Sequence, residues 1–228
     1  MFRREHHQRI ELVLGALDHE MLREQRCYFG GGTAIALTRG EFRESQDIDF
    51  LVSDLNCYRG LRDRVRKEGP SSLFADTRGI SFPANFMGDQ YGLRGWVEVV
   101  GSKIKFEIIS EGRIALEEPG ESDQIASVAI LTETDLLTEK LLANSDRFLD
   151  TSTFSRDLID LAFMEVESLR TSPAFAKASA AYGQAIVRDL DSAIQKFLGD
   201  LRWVDRCVTA LGISAPRAIV TSLVERLR

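Results

Sequence analysis

The chain has 228 residues, 44% hydrophobic and 28% charged, ordinary proportions for a globular protein and enough for one domain with a helical extension or two small domains. A net charge of −6 does not advertise a nucleic-acid protein, and no apolar run approaches the ~20 residues that span a bilayer. Residues 1–7 lack the apolar stretch of a signal peptide, and three cysteines without metal spacing (Cys27, Cys57, Cys207) fit free thiols in a reducing cytosol, so a cytoplasmic location is expected. His6 and His7 read as exposed residues near a chain end rather than as zinc ligands.

Residues 9–23 carry apolar side chains at Ile10, Leu12, Val13, Leu14, Leu17, Met21 and Leu22, which predicts one amphipathic helix. Cys27-Tyr28-Phe29 reads as a short strand running into Gly30-Gly31-Gly32, a turn whose glycines can take positive φ and let the backbone approach a bulky anion. Thr33 opens the apolar run Ala34-Ile35-Ala36-Leu37, so the turn leads into a helix whose free N–H groups suit phosphate. Beyond a polar loop, residues 47–52 alternate as a strand, with Asp47 and Asp49 on one face and Ile48, Phe50 and Val52 on the core face. Residues 55–67 predict a helix ended by Glu68-Gly69-Pro70. Its Arg59, Arg62, Arg64, Arg66 and Lys67 form a basic cluster, either a solvated face or a footing for RNA or a triphosphate.

Residues 73–90 are interrupted by Gly79, Pro83 and Gly88 and hold a strand or two. Residues 96–100 and 103–109 predict a hairpin turning at Gly101-Ser102. Ile104, Phe106 and Ile108 share one face of its second strand, and Lys103, Lys105 and Glu107 the other. An acidic loop over 116–123 gives way to helices. Thr132-Glu133-Thr134-Asp135 fits a capping box ahead of a helix containing Lys140, and Arg156 and Asp160 are spaced as an i,i+4 pair on the next. Ser172 caps a helix begun by Pro173, Gly199 and Gly212 punctuate, and Ser214-Ala215-Pro216 starts the last. Runs of strand followed by runs of helix predict an α+β fold, divided as 1–125 and 126–228, the second part a helical bundle framing a cleft with the first.

Two carboxylates on one strand face repel unless a cation neutralises them, and hard oxygen ligands so placed suit Mg²⁺ carried in with a nucleoside triphosphate. A bare Asp-x-Asp is more often a solvated strand end, but the glycine turn and helix just upstream make Asp47 and Asp49 a metal site facing a phosphate cradle. If the strand of Glu107 neighbours that of Asp49, Glu107 becomes a third metal-binding carboxylate or a base; otherwise it pairs with a lysine across the strand.

The pattern GG-T-A-x-x-L followed by R-x-S-x-D-x-D-F resembles the abortive-infection nucleotidyltransferase toxins of the AbiEii/AbiGii type, within the polymerase-beta-like superfamily. Here it stands as Gly31-Gly32-Thr33-Ala34 with Leu37, then Arg43, Ser45, Asp47, Asp49 and Phe50. Thr138-Glu139-Lys140-Leu141 and Arg156-Asp157-Leu158-Ile159-Asp160-Leu161 resemble the two later motifs of that family in the right order. One departure is Phe29 followed by an extra Gly30, where relatives often carry lysine.

The resemblance implies a nucleotidyltransferase-type mixed sheet with flanking helices and a two-metal Mg²⁺ site on Asp47, Asp49 and Glu107. It implies a nucleotide site of Gly31, Gly32, Thr33, Arg43, Ser45 and Lys140, with Lys140 touching the triphosphate. It further implies that Asp157 or Asp160 holds Lys140 or polarises the acceptor. The activity expected is transfer of a nucleoside monophosphate from an NTP to an acceptor, tRNA in some relatives, by the toxin of a pair with a cognate antitoxin. Two other readings stay open: a catalytically retired nucleotide- or RNA-binding module of the same fold, and a structural helical adaptor, which leaves the aspartate pair unexplained.

Overall fold

The computed structural model describes residues 2–228, which divide into two compact units. One holds the chain up to Leu37 together with Gln46–Thr132; the other holds Thr38–Ser45 and Glu133–Arg228.

The first unit opens with α1 (Glu5–Ala16) and α2 (His19–Glu24), where the apolar spacing predicts one helix. The break has a local cause. Leu17 takes extended backbone and bridges to Phe74, while the Asp18 carboxylate caps α2 by accepting from Met21 N at 3.1 Å. Next come β1 (Tyr28–Gly30), α3 (Gly31–Thr38), β2 (Ile48–Val52) and α4 (Leu55–Glu68). Then follow β3 (Ile80–Ser81), β4 (Met87–Gly88), β5 (Gly92–Val99), β6 (Ser102–Ser110), β7 (Gln124–Ile125) and β8 (Val128–Ala129).

The main sheet runs β1-β2-β6-β5-β3, with β4 also on β5. Only β2–β6 among these pairs is parallel, so the sheet is mixed. Ile48, Phe50, Val52, Ile104, Phe106 and Ile108 are buried, as the alternation predicts, and Leu93 and Val97 of β5 are buried with them. Phe29, Phe50 and Phe106 stack in sequence with ring centroids 5.6 and 5.5 Å apart. Truncating the fully buried Phe50 to alanine removes the middle of that row, a loss of about 3–5 kcal/mol.

The β5–β6 turn falls at Val100-Gly101, with φ of +48° and +68°, one residue earlier than the sequence reading. Two positive φ values match the primed turns whose twist suits a hairpin. The small β7–β8 hairpin turns the same way over Ala126-Ser127 and has no clear sequence signal. Ile130 bridges to Phe29 and Leu131 N donates to Phe29 O at 2.9 Å, which keeps the chain in the first unit through Thr132 instead of leaving it at 125.

In the second unit α5 (Glu133–Arg147) packs against α6 (Arg156–Phe163), α7 (Pro173–Tyr182) and α8 (Ala185–Gly199); α9 (Leu201–Ala210) and α10 (Arg217–Glu225) complete it. Ser172 caps α7, its Oγ accepting from Phe175 N at 3.2 Å, with Pro173 in the first turn. The segment 38–45 belongs to this unit because Phe42 stacks on Phe163 at 4.1 Å and accepts from Ser214 N at 2.9 Å. Among the described residues no helix is long and apolar enough to cross a membrane. All three cysteines are free, and burial pushes the Cys207 thiol up to about 12, leaving it unreactive at neutral pH.

Candidate active site

In the first unit the site is a row across the sheet. Gly30 of β1 pairs in register with Asp49 of β2, Asp49 with Glu107 of β6, and Glu107 with Arg94 of β5. Cross-strand partners share a face, so these side chains stand together opposite the phenylalanine core. Of the three glycines only Gly31 has positive φ, +68°, and α3 starts at that residue. A Cβ there would lie 2.6 Å from Asp49 Oδ2, so the Asp49 carboxylate packs directly against the backbone where β1 becomes α3. At Gly30 an added Cβ would meet the Cδ1 methyls of Leu131 and Leu51, at 2.6 and 2.8 Å, so those side chains pack closely over the end of β1.

Asp47 precedes β2 by one residue, and its carbonyl accepts from the buried Thr33 hydroxyl at 2.5 Å. That bond ties the first turn of α3 to the start of the aspartate strand. Asp47 and Asp49 are both half-buried. Glu107 is placed beside Asp49, with Oε1 3.1 Å from Arg94 Nε and Oε2 2.6 Å from Lys105 Nζ. Both of its oxygens are thus ion-paired, and among the described residues no three His, Cys, Asp or Glu side chains are grouped to hold a metal. His6 has a hydrogen bond to Gln46 O at 3.0 Å, and His7 is fully buried.

The second unit holds a buried chain of charges. Arg43 donates to both oxygens of Asp160, Nε at 2.6 Å and Nη2 at 2.9 Å, and its Nη1 donates to Glu44 O at 2.7 Å. Lys140 Nζ lies 2.7 Å from Asp160 Oδ2 and 2.9 Å from Asp157 Oδ1. Arg147 donates to both oxygens of Asp157, at 2.7 and 2.9 Å. Asp160 is 0% and Lys140 6% exposed. Burial works against the charge on Lys140, but Asp157 and Asp160 outweigh it and raise its pKa above the usual lysine range. Burial likewise opposes ionisation of Asp157, and Lys140 and Arg147 outweigh it, holding that carboxyl well below the usual range.

Both aspartates therefore hold Lys140. Asp160 is engaged by Arg43 and Lys140, not by the Arg156 that its i,i+4 spacing offers. Arg43 is 3% exposed and fully occupied as the partner of Asp160, so in this structure it is a buried structural cation rather than an open nucleotide contact. Ser45 is half-buried. Sequence reasoning missed Arg147 and Arg94. Arg147 follows Lys140 by seven residues, two helical turns, a spacing that puts both on one side of α5. The partnership of Arg94 depends on strand register, which leaves no local signal.

The family described as nucleotidyl transferase AbiEii toxin, Type IV TA system, matches residues 15–209. A crystal structure of a candidate nucleotidyltransferase from H. pylori shares the fold at a TM-score of 0.53, with 17% identity over 97% of this chain and 92% of that one. The crystal structure of JHP933 from Helicobacter pylori is similar at a TM-score of 0.51, with 18% identity over 100% of this chain and 93% of that one. No curated protein matches the sequence.

Proposed function

The chain belongs to the AbiEii nucleotidyl transferase toxin family, and on that premise we propose that it transfers a nucleoside monophosphate from an NTP to a hydroxyl of an acceptor, with RNA the foremost candidate. The observation that carries this reading is the packing of the Asp49 carboxylate against Gly31 at the start of α3. It joins an acidic strand and a helix N-terminus, the two parts that a metal–triphosphate needs.

The donor set fits Mg²⁺. Asp47 and Asp49 offer hard oxygens, and this ion is ordinarily held by one or two carboxylates, with phosphate and water completing its shell. Bound there, the ion would supply charge neutralisation on the phosphates. Glu107 is left out of the ligand set because Arg94 and Lys105 occupy its oxygens. Backbone N–H groups at Gly31, Gly32 and Thr33 would hold the outer phosphates. The acceptor oxygen bonds to the α-phosphorus while the bond to the β-bridging oxygen breaks. The electron pair leaves with pyrophosphate, and the acceptor's proton passes to solvent.

Lys140 would hold Asp157 and Asp160 in place within the second unit. In a cell the protein would be a cytoplasmic toxin restrained by a cognate antitoxin. The second reading, a retired binding module, draws on Glu107, both of whose oxygens are ion-paired.

One experiment separates the two: inducible expression in a bacterial host, wild type beside Asp49→Ala, with RNA labelled from each α-³²P NTP in lysate. Growth arrest and a labelled RNA band, both lost in the variant, support transfer. Arrest that survives Asp49→Ala refutes the acidic site. Nucleotide binding without label from any NTP favours the retired module.

A further inference from the structure

Helix α4 carries five cations against two carboxylates, a net +3 inside a chain of −6. Tyr58, Leu61 and Val65 bury its inner face. Arg59, Arg62 and Arg66 follow at i, i+3 and i+7, one line on its outer side about 10 Å long. This charge continues to the aspartate row through direct contacts. Arg62 Nη1 donates to Asp89 O at 3.4 Å, and Arg94 Nη1 lies 3.3 Å from Asp89 Oδ2. Arg94 Nε then meets Glu107 at 3.1 Å, and Glu107 is the register neighbour of Asp49.

Two large aromatic side chains that flank Arg94 in sequence stand open. Tyr91, two residues past Asp89, is 64% exposed. Trp96 is 49% exposed, on the face of β5 that carries Arg94, opposite Lys105 of β6. Trp96 is two strand spacings from β2, about 10 Å. Aromatics left open on either side of Arg94, with Lys105 opposite Trp96, suit unpaired bases stacked on rings with phosphates on cations. A duplex keeps its bases inside and has no use for them. A protein partner wants a contiguous apolar centre, whereas here each ring is separated from the next by charge.

We propose that this track is a binding surface for a single-stranded polynucleotide, its phosphates on Arg59, Arg62 and Arg66 and its bases on Tyr91 and Trp96. The strand to be modified lies along it toward Asp49, a placement that rests on the nucleotidyl-transfer reading.

The test is fluorescence anisotropy with the full chain, without NTP or metal. The probes are labelled oligouridine RNA, oligothymidine DNA of equal length and a duplex, each over a salt series. Single strands bind and the duplex binds at least tenfold more weakly. Trp96→Ala and Tyr91→Ala each weaken single-strand binding by about 5- to 100-fold, and Trp96→Phe restores most of it. Changing Arg59, Arg62 and Arg66 together to alanine lowers the slope of log affinity against log salt by about 2. Equal RNA and DNA affinities mean that rings and phosphates alone are read; an RNA preference adds contact to the 2′-hydroxyl, and both support the surface. Absence of single-strand binding, a duplex held as tightly, or aromatic variants that bind like wild type would overturn it. A parallel titration with Mg²⁺-NTP keeps the two readings apart. Nucleotide binding without strand binding removes this surface and leaves the transfer reading. Strand binding without nucleotide binding does the reverse.

Discussion

Asp160→Asn is the sharpest probe of the second unit. Arg43, Lys140 and Arg147 meet at two carboxylates, Asp157 and Asp160, each of which serves two cations in this buried network. Asparagine at 160 offers one neutral amide oxygen to two cations and turns a donor NH2 toward them, so Arg43 keeps the Glu44 carbonyl and Asp157 becomes the one charged partner of Lys140 in this network. Stripping one partner from a buried ion pair costs about 3–5 kcal/mol, which for a chain of this size lowers Tm by roughly 6–20 °C. Lys140→Met should be milder, about 2 kcal/mol or less, because Asp160 keeps both bonds to Arg43 and Asp157 both bonds to Arg147.

The assay is urea unfolding followed by Trp203 fluorescence in a Trp96→Phe background, since these are the two tryptophans of the chain. An Asp160→Asn loss under about 1 kcal/mol, or a Lys140→Met loss as large as that of Asp160→Asn, would refute this role for Asp160 as the shared partner of two buried cations. The pH dependence follows the same logic. Asp157 has a depressed pKa, so its contribution is present above the unfolded value of about 3.9 and is lost as pH falls through the folded value. Lys140 has a raised pKa, so its contribution is complete below about 10.4 and is lost as pH climbs through the folded value. Between those limits the network's contribution is flat with pH.

Gly31→Ala forces a side chain into positive φ and against Asp49 Oδ2; calorimetry should show a loss of about 1–3 kcal/mol, and nucleotide transfer should fall at least tenfold. Thr33→Val deletes the bond to the Asp47 carbonyl, costing about 1 kcal/mol, with kcat lowered more than KM is raised if that bond positions Asp47. Glu107→Gln should change stability by under about 1 kcal/mol, because Arg94 and Lys105 are each two-fifths exposed, and should keep transfer within about tenfold of wild type. A hundredfold loss in Glu107→Gln would return that carboxylate to the metal site.

The elements that carry the site were legible because their signals are local. Alternation through Ile48, Asp49 and Phe50 marked the face that Asp49 occupies, and three glycines before an apolar run marked the passage from β1 to α3. The caps at Ser172 and the helix after Pro216 were equally plain. A single residue decided the cases that went differently: Asp18 divides α1 from α2 by capping in mid-stripe, and Val100 accepts positive φ where Gly101-Ser102 reads as the turn.

Partnerships at long range were beyond sequence reasoning. Glu107 stands beside both Asp49 and Lys105, and local pattern cannot choose between a metal ligand and an ion pair; the approach of Arg94 from β5 decides how its oxygens are used. Arg43 sits four residues before Asp47, yet its guanidinium is spent on Asp160, 117 positions away. Sequence determined what each element is and which side chains share its face, because period and capping are properties of neighbours along the chain. Tertiary structure decided which charges meet, because burial leaves a charge no water and makes it take whatever opposite charge the packing brings within reach.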